Sequence, residues 1–377
     1  MESKKSTLEN MEIDSLFGGV YKNKKVLITG HNGFKGSWLT YWLNEMKADV
    51  TGISLENETE QNHFSLIKTS CKSITQDITD REGVTKVIQD ANPEIIFHLA
   101  AQALVRDSYT NPYDTYMTNV MGTINVLDAA RTLKNLKAIV IVTSDKCYDN
   151  KEWYWGYREN EAMGGKDPYS SSKGCTELVT SAYRNSFFNT KEYGKKHNVL
   201  IASVRAGNVI GGGDWAKDRI IPDMVKAVAS KKTLKIRSPR STRPWQHVLE
   251  PLSGYLSVGQ ELMEGNVKAA EGWNFGPENE NNKYVIDIVE KSKLLWSKIS
   301  YELDKESSLH EAQNLMLDSS KAKKELKWFP VWNYESTIEE TIVWYKEYYE
   351  NSIILTHNQL VKFINDANYK NIKWAKQ

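Results

Sequence analysis

Tyr169-Ser170-Ser171-Ser172-Lys173 sets a phenol and an ammonium four residues apart, on one face if the segment is helical. Such a pair can take a proton from an alcohol. A free tyrosine has a pKa near 10, so acting as a base near neutral pH needs a shift of about three units, or roughly 4 kcal/mol. A lysine ammonium and a second cation beside the phenol can supply it. The spacing alone is common by chance, and its weight here comes from what precedes it: an apolar run, AIVIVTS, that ends in Ser144. Asp145 and Lys146 follow. A carboxyl kept protonated in a dry pocket can act as a general acid, and a desolvated lysine can act as a base or hold a developing negative charge. A simple ion pair in a loop is the plainer alternative for those two residues.

The second candidate is a phosphate cradle. Gly30-His31-Asn32-Gly33-Phe34-Lys35-Gly36 has the form G-x-x-G-x-x-G between a short apolar run, KVLIT, and a segment of helical periodicity. Glycines let the backbone approach a diphosphate, whose charge then sits on the free amides of a helix N-terminus. The acid that would grip a ribose 2′-hydroxyl at the end of the second strand is missing. That strand ends Gly52-Ile53-Ser54-Leu55, with Glu56 just beyond. No arginine follows to hold a 2′-phosphate, which favours NAD, although Lys35 inside the loop pulls toward NADP. Asp77 and Ile78 are placed to bracket an adenine, with an Asp at that position serving as often as a helix cap.

These groups need a scaffold. Lys25–Thr29, Asp49–Leu55, Glu94–Ala100, Ala138–Ser144 and Val199–Arg205 read as strands, Ser37–Met46 and roughly Asn119–Leu133 as helices. The alternation predicts an α/β fold, a Rossmann-like doubly wound parallel sheet with a smaller mixed α/β substrate-binding part. The expected divisions are a flexible extension over 1–24, a dinucleotide-binding domain with the Tyr-Lys pair over 25–205, a mainly substrate-binding part over 206–350 interleaved with the sheet, and a tail over 351–377. Ser336 and Glu339 have capping-box spacing ahead of Ile338, Ile342, Tyr345 and Tyr349 on one helical face.

Composition excludes several classes. Lys and Arg number 49 against 48 acids, so any anion binding must be local and nucleic acid is not an expected partner. No apolar run is long enough for a membrane span. Cys71, Cys147 and Cys175 are too few and scattered for a disulfide framework or a metal site, and read as free thiols in a reducing cytoplasm.

Taken together, Gly30/Gly33/Gly36, Ser144 and Tyr169/Lys173 resemble the extended short-chain dehydrogenase/reductases. Within that group TGHNGFKGSW, HLAAQALVRDSY, TSDKCYDNKEWYWGYREN, DPYSSSKG, RAGNVIGGGDW, DRIIPD and RPWQHV resemble the CDP-glucose 4,6-dehydratases. The resemblance implies an NAD-dependent hydro-lyase acting on a nucleotide sugar for deoxysugar and surface-polysaccharide (O-antigen) biosynthesis, as a homodimer or homotetramer. Tyr169 with Lys173 would take the 4-hydroxyl proton, and Asp145 would protonate the departing 6-hydroxyl. Many related dehydratases follow that Asp with a Glu that acts as base at carbon 5. Lys146 stands there instead, which leaves the base open. Asn32, Phe34, Ala100, Ala101 and Asn119 would join the cofactor site. Gln102, Ser108, Asn208, Arg219 and Arg243 would meet the substrate, the arginines at its diphosphate. Trp153 and Trp155 either roof the sugar or pack the loop down. Another nucleotide-sugar dehydratase, a 4-epimerase and a non-catalytic dinucleotide sensor share parts of this pattern. Asp145 argues for elimination, since an epimerase expels no hydroxyl.

Overall fold

The computed structural model describes residues 12–57, 59–278, 282–304 and 315–376. Strand β1 (Lys25–Thr29) is apolar at alternate positions on both faces, so it can only be central. Val26 and Ile28 point into one core and Leu27 into the other. Around it run β2 (Asp49–Ser54), β3 (Lys72–Thr75), β4 (Ile95–His98), β5 (Ala138–Val142), β6 (Leu200–Ala206) and β7 (Gly272–Phe275), all parallel, in the order β7-β6-β5-β4-β1-β2-β3. Strand order reverses between β1 and β4, and in such sheets ligands bind in the crevice beyond the carboxyl ends there.

Helices α1 (Phe34–Glu45), α2 (Arg81–Ala91), α3 (Gly122–Ala130), α4 (Pro168–Ser186), α5 (Ile220–Ala229) and α6 (Leu249–Met263) follow in chain order. The core on the α2/α3 face is aliphatic, with Val84, Ile88, Val126 and Leu127. The opposite face packs α1 and α6 with α7 (Tyr334–Asn351) and α8 (Thr356–Tyr369), and is rich in tryptophan: Trp38, Trp42, Trp328 and Trp344 are fully buried there. After β6 the chain makes a short two-stranded pairing, 209–210 with 246–247, before β7 returns to the main sheet; beyond β7, residues 282–284 pair antiparallel with 242–244.

Three expectations need correction. The helix expected over 119–133 is α3 preceded by a wide π-helical turn at Met117–Met121, which faces the cavity described below. The capping box at Ser336 and Glu339 does not form. The helix starts earlier, and Asn333 Oδ1 accepts from the Ser336 amide at 3.0 Å. The terminal segments also pack into the core. Phe17 stacks on Trp374 with ring centroids 5.2 Å apart, and Trp42 and Phe363 close round the same indole. Leu360, Phe363 and Ile364 bury one face of α8. Aromatic surface of that size favours burial wherever a groove can take it. Residues 1–11 of the expected extension lie outside the described residues.

Candidate active site

A cavity of about 1000 Å³ opens over the carboxyl ends of β1, β4, β5 and β6, with residues 206–222 and 243–245 forming the facing wall. The glycine loop lines one end of it. Gly30 has φ +74°, and a Cβ there would lie 2.8 Å from the Ala100 amide nitrogen. At Gly36 a Cβ would strike the Gly30 carbonyl at 1.9 Å, so this glycine seats α1 against the turn. Gly33 is different: a Cβ there would meet only the Gly30 oxygen, at 3.4 Å. It is the N-cap of α1 and supplies no side-chain cap, leaving the first-turn amides as donors without a local acceptor. That donor set fits a dinucleotide diphosphate.

The rest of the cofactor end is held by local bonds. Asn32 Nδ2 donates to the Leu55 carbonyl at 2.7 Å, tying the loop to the end of β2. Ser54 and Ser73 hydrogen-bond the two ring nitrogens of buried His31, at 3.0 and 2.7 Å, and Gly52 leaves room for that ring. Glu56 lines the wall beyond Ser54. Asp77 and Ile78 also line it, and Asp77 Oδ1 accepts from the Thr79 amide at 2.8 Å. Phe34, Lys35, Ala100, Ala101 and Gln102 complete this side.

Asn119 and Ser108 do not line the cavity wall and hold backbone beside it. Asn119 accepts from the Gln102 amide at 2.8 Å and donates to the Gln102 carbonyl and to Ser172 Oγ, so it clamps the segment after β4 to α4. Buried Ser108 accepts from the Tyr169 amide at 3.2 Å and thereby fixes the first turn of α4. Asp167 caps that helix through the Ser170 amide, and Pro168 occupies its first position.

Tyr169, Lys173 and Ser144 converge as the spacing implied, all buried. The Tyr169 phenol hydrogen-bonds Ser144, and Ser144 Oγ donates to Asp145 Oδ1 at 2.9 Å. Ser144 thus links the phenol to the Asp145 carboxyl. Burial pushes Tyr169 up to about 12, opposed by the Ser144 hydrogen bond and the Arg219 charge. Burial also pulls Lys173 down to about 8. Burial thus favours the neutral phenol and the neutral amine in the protein alone. Lys146 lines the same wall, half-buried.

Behind this trio lies a network that motif reading missed. Glu177 continues the Tyr169/Lys173 face of α4 by one more turn and receives Arg205 Nε and Nη2 at 2.7 and 2.9 Å. Ser203 and Thr143 donate to the same carboxylate; the Arg205 charge and hydrogen bonds first, and these hydroxyls after them, hold its pKa below the usual range despite its burial. Arg205 Nη1 reaches the Tyr148 hydroxyl at 2.5 Å, and Tyr148 donates to Asn274. The i+4 spacing from Lys173 was the available signal. Gly207 was missed too: a Cβ there would lie 3.2 Å from Asp145 Oδ2 and 3.3 Å from Pro244, so its absence keeps space at the carboxyl.

Trp153 stacks on Tyr157 at 5.2 Å and pins the loop, while Trp155 is exposed; neither lines the cavity. Buried Cys147 has its thiol pushed far up by desolvation and is inert. On the facing wall stand Asn208, Arg219 and Arg243. Arg219 Nη1 donates to Asp214 Oδ2 at 3.0 Å. Two ion pairs cross the cavity mouth between residues 105–110 and 214–219: Arg106–Asp218 at 3.2 Å and Asp107–Lys217 at 3.1 Å.

With this geometry in place, comparison with known proteins is decisive. Residues 27–341 match the model of the GDP-mannose 4,6 dehydratase family. The chain belongs to that family. A CDP-glucose 4,6-dehydratase of Salmonella typhimurium is 53% identical over 86% of this chain and 91% of its own length. A dTDP-glucose 4,6-dehydratase of the same organism is 25% identical over 85% and 92%. Among solved structures, an epimerase of Methanothermobacter thermautotrophicus superposes with a TM-score of 0.76 at 22% identity, covering 92% of this chain and 96% of that one. A UDP-glucuronic acid 4-epimerase of Bacillus cereus, solved with UDP-glucuronic acid and NAD, gives 0.71 at 21% identity over 85% and 99%. At that identity the two epimerases share the fold with this family member.

Proposed function

We infer that this chain converts CDP-glucose to CDP-4-keto-6-deoxyglucose and water, using NAD as a cofactor returned unchanged, as a lyase of deoxysugar biosynthesis. The observation that carries the reading is 53% identity to a CDP-glucose 4,6-dehydratase over nearly the whole of both chains. The convergence of Tyr169, Lys173, Ser144 and Asp145 in one cavity supports it. The uncapped amides of α1 and Gly33 would hold the NAD diphosphate, with Ala100, Ala101, Asp77 and Ile78 alongside.

NAD, when bound, would supply the hydride acceptor for carbon 4 and, once reduced, the hydride for carbon 6. Tyr169 takes the 4-hydroxyl proton, its phenolate favoured by Ser144 and Lys173. The resulting 4-ketone acidifies the hydrogen at carbon 5. Lys146 stands where it can remove that proton or hold the enolate charge. Asp145 delivers a proton to the 6-hydroxyl, and water leaves; Gly207 keeps the approach to that carboxyl free. Arg219 and Arg243, with Asn208, bind the substrate diphosphate side, and Gln102 faces the sugar. We also infer a cytoplasmic homodimer or homotetramer. Exposed Leu178, Phe187 and Met121 on and beside α4 and α3 support pairing through those helices, and three unpaired cysteines suit a reducing compartment.

The test is isotopic. CDP-glucose deuterated at carbon 4 should give product labelled at carbon 6, with solvent hydrogen at carbon 5. Asp145→Asn should still oxidise carbon 4 but lose dehydration by about 10²- to 10⁴-fold. Label returned to carbon 4 with the 6-hydroxyl retained would mean epimerisation instead.

A further inference from the structure

The face of α7 that carries Ile338 and Ile342 is core, but at Tyr345 it meets the facing wall of the cavity. Residues 211–219 run through that wall without a strand or helix to pair their backbone, although 211–215 are buried. Buried amides and carbonyls then need partners from elsewhere. At Asp214 one hydroxyl meets both needs. The Tyr345 phenol accepts from the Asp214 amide at 2.8 Å and donates to the Asp214 carbonyl at 2.6 Å. Tyr345 is fully buried and does not itself line the cavity. The aromatics round it leave the segment little room to shift. Trp38 Nε1 donates to the Gly212 carbonyl at 2.9 Å, a Cβ at Gly212 would overlap the Trp344 ring, and Trp215 meets Tyr345 edge-on at 5.8 Å.

With its backbone held, Asp214 turns both carboxylate oxygens to the chain that follows. Oδ1 accepts from the Ala216 amide at 3.0 Å, and Oδ2 accepts from Arg219 Nη1 at 3.0 Å. The carboxylate is buried, whereas Arg219, the N-cap of α5, reaches the cavity. A long side chain free to rotate would lose conformational entropy on meeting a ligand, and a fixed partner removes much of that cost beforehand. We propose that Tyr345 is a positioning residue for nucleotide-sugar recognition: by holding the Asp214 backbone it sets the carboxylate that aims Arg219 into the cavity. The proposal rests on the reading that Arg219 meets the substrate diphosphate, and it brings the C-terminal helix α7 into substrate binding.

The experiment compares the parent enzyme with Tyr345→Phe, Asp214→Asn, Arg219→Met and the double variant Tyr345→Phe/Arg219→Met. Steady-state kinetics with CDP-glucose and calorimetric titration with CDP are run well below each unfolding temperature. Tyr345→Phe keeps the ring and removes only the hydroxyl. It should raise KM and the Kd for CDP about 10-fold, part of the worth of a charge-assisted hydrogen bond, with kcat at saturation within about 2-fold. On the Arg219→Met background the same change should cost no further affinity, because the two residues act as one unit. Asp214→Asn keeps the backbone bonds to Tyr345 and should reproduce the affinity loss, so the proposal is tested even if Tyr345→Phe does not fold. A purely structural tyrosine would lower the unfolding temperature and leave KM and Kd at parent values, which overturns the proposal. An equal loss with and without Arg219 overturns it as well, as does normal CDP binding by Asp214→Asn. If Arg219→Met binds CDP as the parent does, the assignment of Arg219 to the substrate falls and takes the positioning role with it. If Arg219→Met weakens binding and Tyr345→Phe does not, the positioning role alone falls.

Discussion

Behind Tyr169 and Lys173 the Glu177–Arg205 pair is buried, bidentate and surrounded by hydroxyl donors, whereas the pairs across the cavity mouth, Arg106–Asp218 and Asp107–Lys217, are each roughly one-third exposed or more on both sides. The contrast follows from what each region must do. At the floor, a carboxylate without partners would be very costly, so the network has to be complete, and completeness immobilises α4, β6 and the loop at Tyr148 together. At the mouth, solvent and salt compete with every contact, so the pairs can part at little cost and let a nucleotide sugar enter. Chemistry sits on the rigid side and access on the labile one.

The largest expected effect is at the floor. Tyr169→Phe removes the group proposed to take the 4-hydroxyl proton and should lower kcat by about 10²- to 10⁴-fold. NAD affinity by calorimetry should stay near the parent value, because the cradle is built by α1. Near-normal turnover would show that Tyr169 is not the base.

Breaking the buried network separately should cost stability. Arg205→Met leaves Glu177 charged, buried and without its cation, and should destabilise the fold by about 3–5 kcal/mol in denaturant titration. Removing the carboxylate as well, in the double variant Glu177→Leu/Arg205→Met, should recover a substantial part of that loss. If the single variant is as stable as the parent, the floor is not preorganised in the manner described.

The mouth should respond least. Asp218 holds a left-handed φ of +60° and bridges Arg106 and Arg237. Asp218→Gly loses two exposed pairs, each worth about 0–1 kcal/mol, and relieves a backbone strain of similar size. Stability should therefore change by less than about 1 kcal/mol, while KM for the nucleotide sugar should lose part of its dependence on ionic strength. A large drop in stability would make the mouth structural after all.

The sheet was legible because its strands are unbroken apolar runs: KVLIT, IIFH and AIVIV admit no polar face, and a parallel sheet covered on both sides requires that pattern. The glycine loop and the Tyr169/Lys173 pair were legible because each is local, set by spacing within one turn or one helix. The surroundings of Asn119 and Ser108 were not legible, for the opposite reason. Their residue types suit ligand binding, and only the crossing of the segment after β4 with α4 turns them inward to backbone partners. The terminal segments were misjudged because their aromatics are sparse along the chain. Phe17, Trp42, Phe363 and Trp374 form one cluster only after the two ends meet.

The amino-acid sequence alone determined the architecture, the glycine turn ahead of α1 and the placing of Tyr169 and Lys173 on one helical face, since each depends on interactions within a few residues or on a repeated apolar pattern. Tertiary structure alone decided which polar residues face the cavity and that Glu177 finds Arg205. Those relations join segments tens to hundreds of residues apart. Burial and the sign of neighbouring charges, which set how each ionisable group behaves, arise only when the layers close.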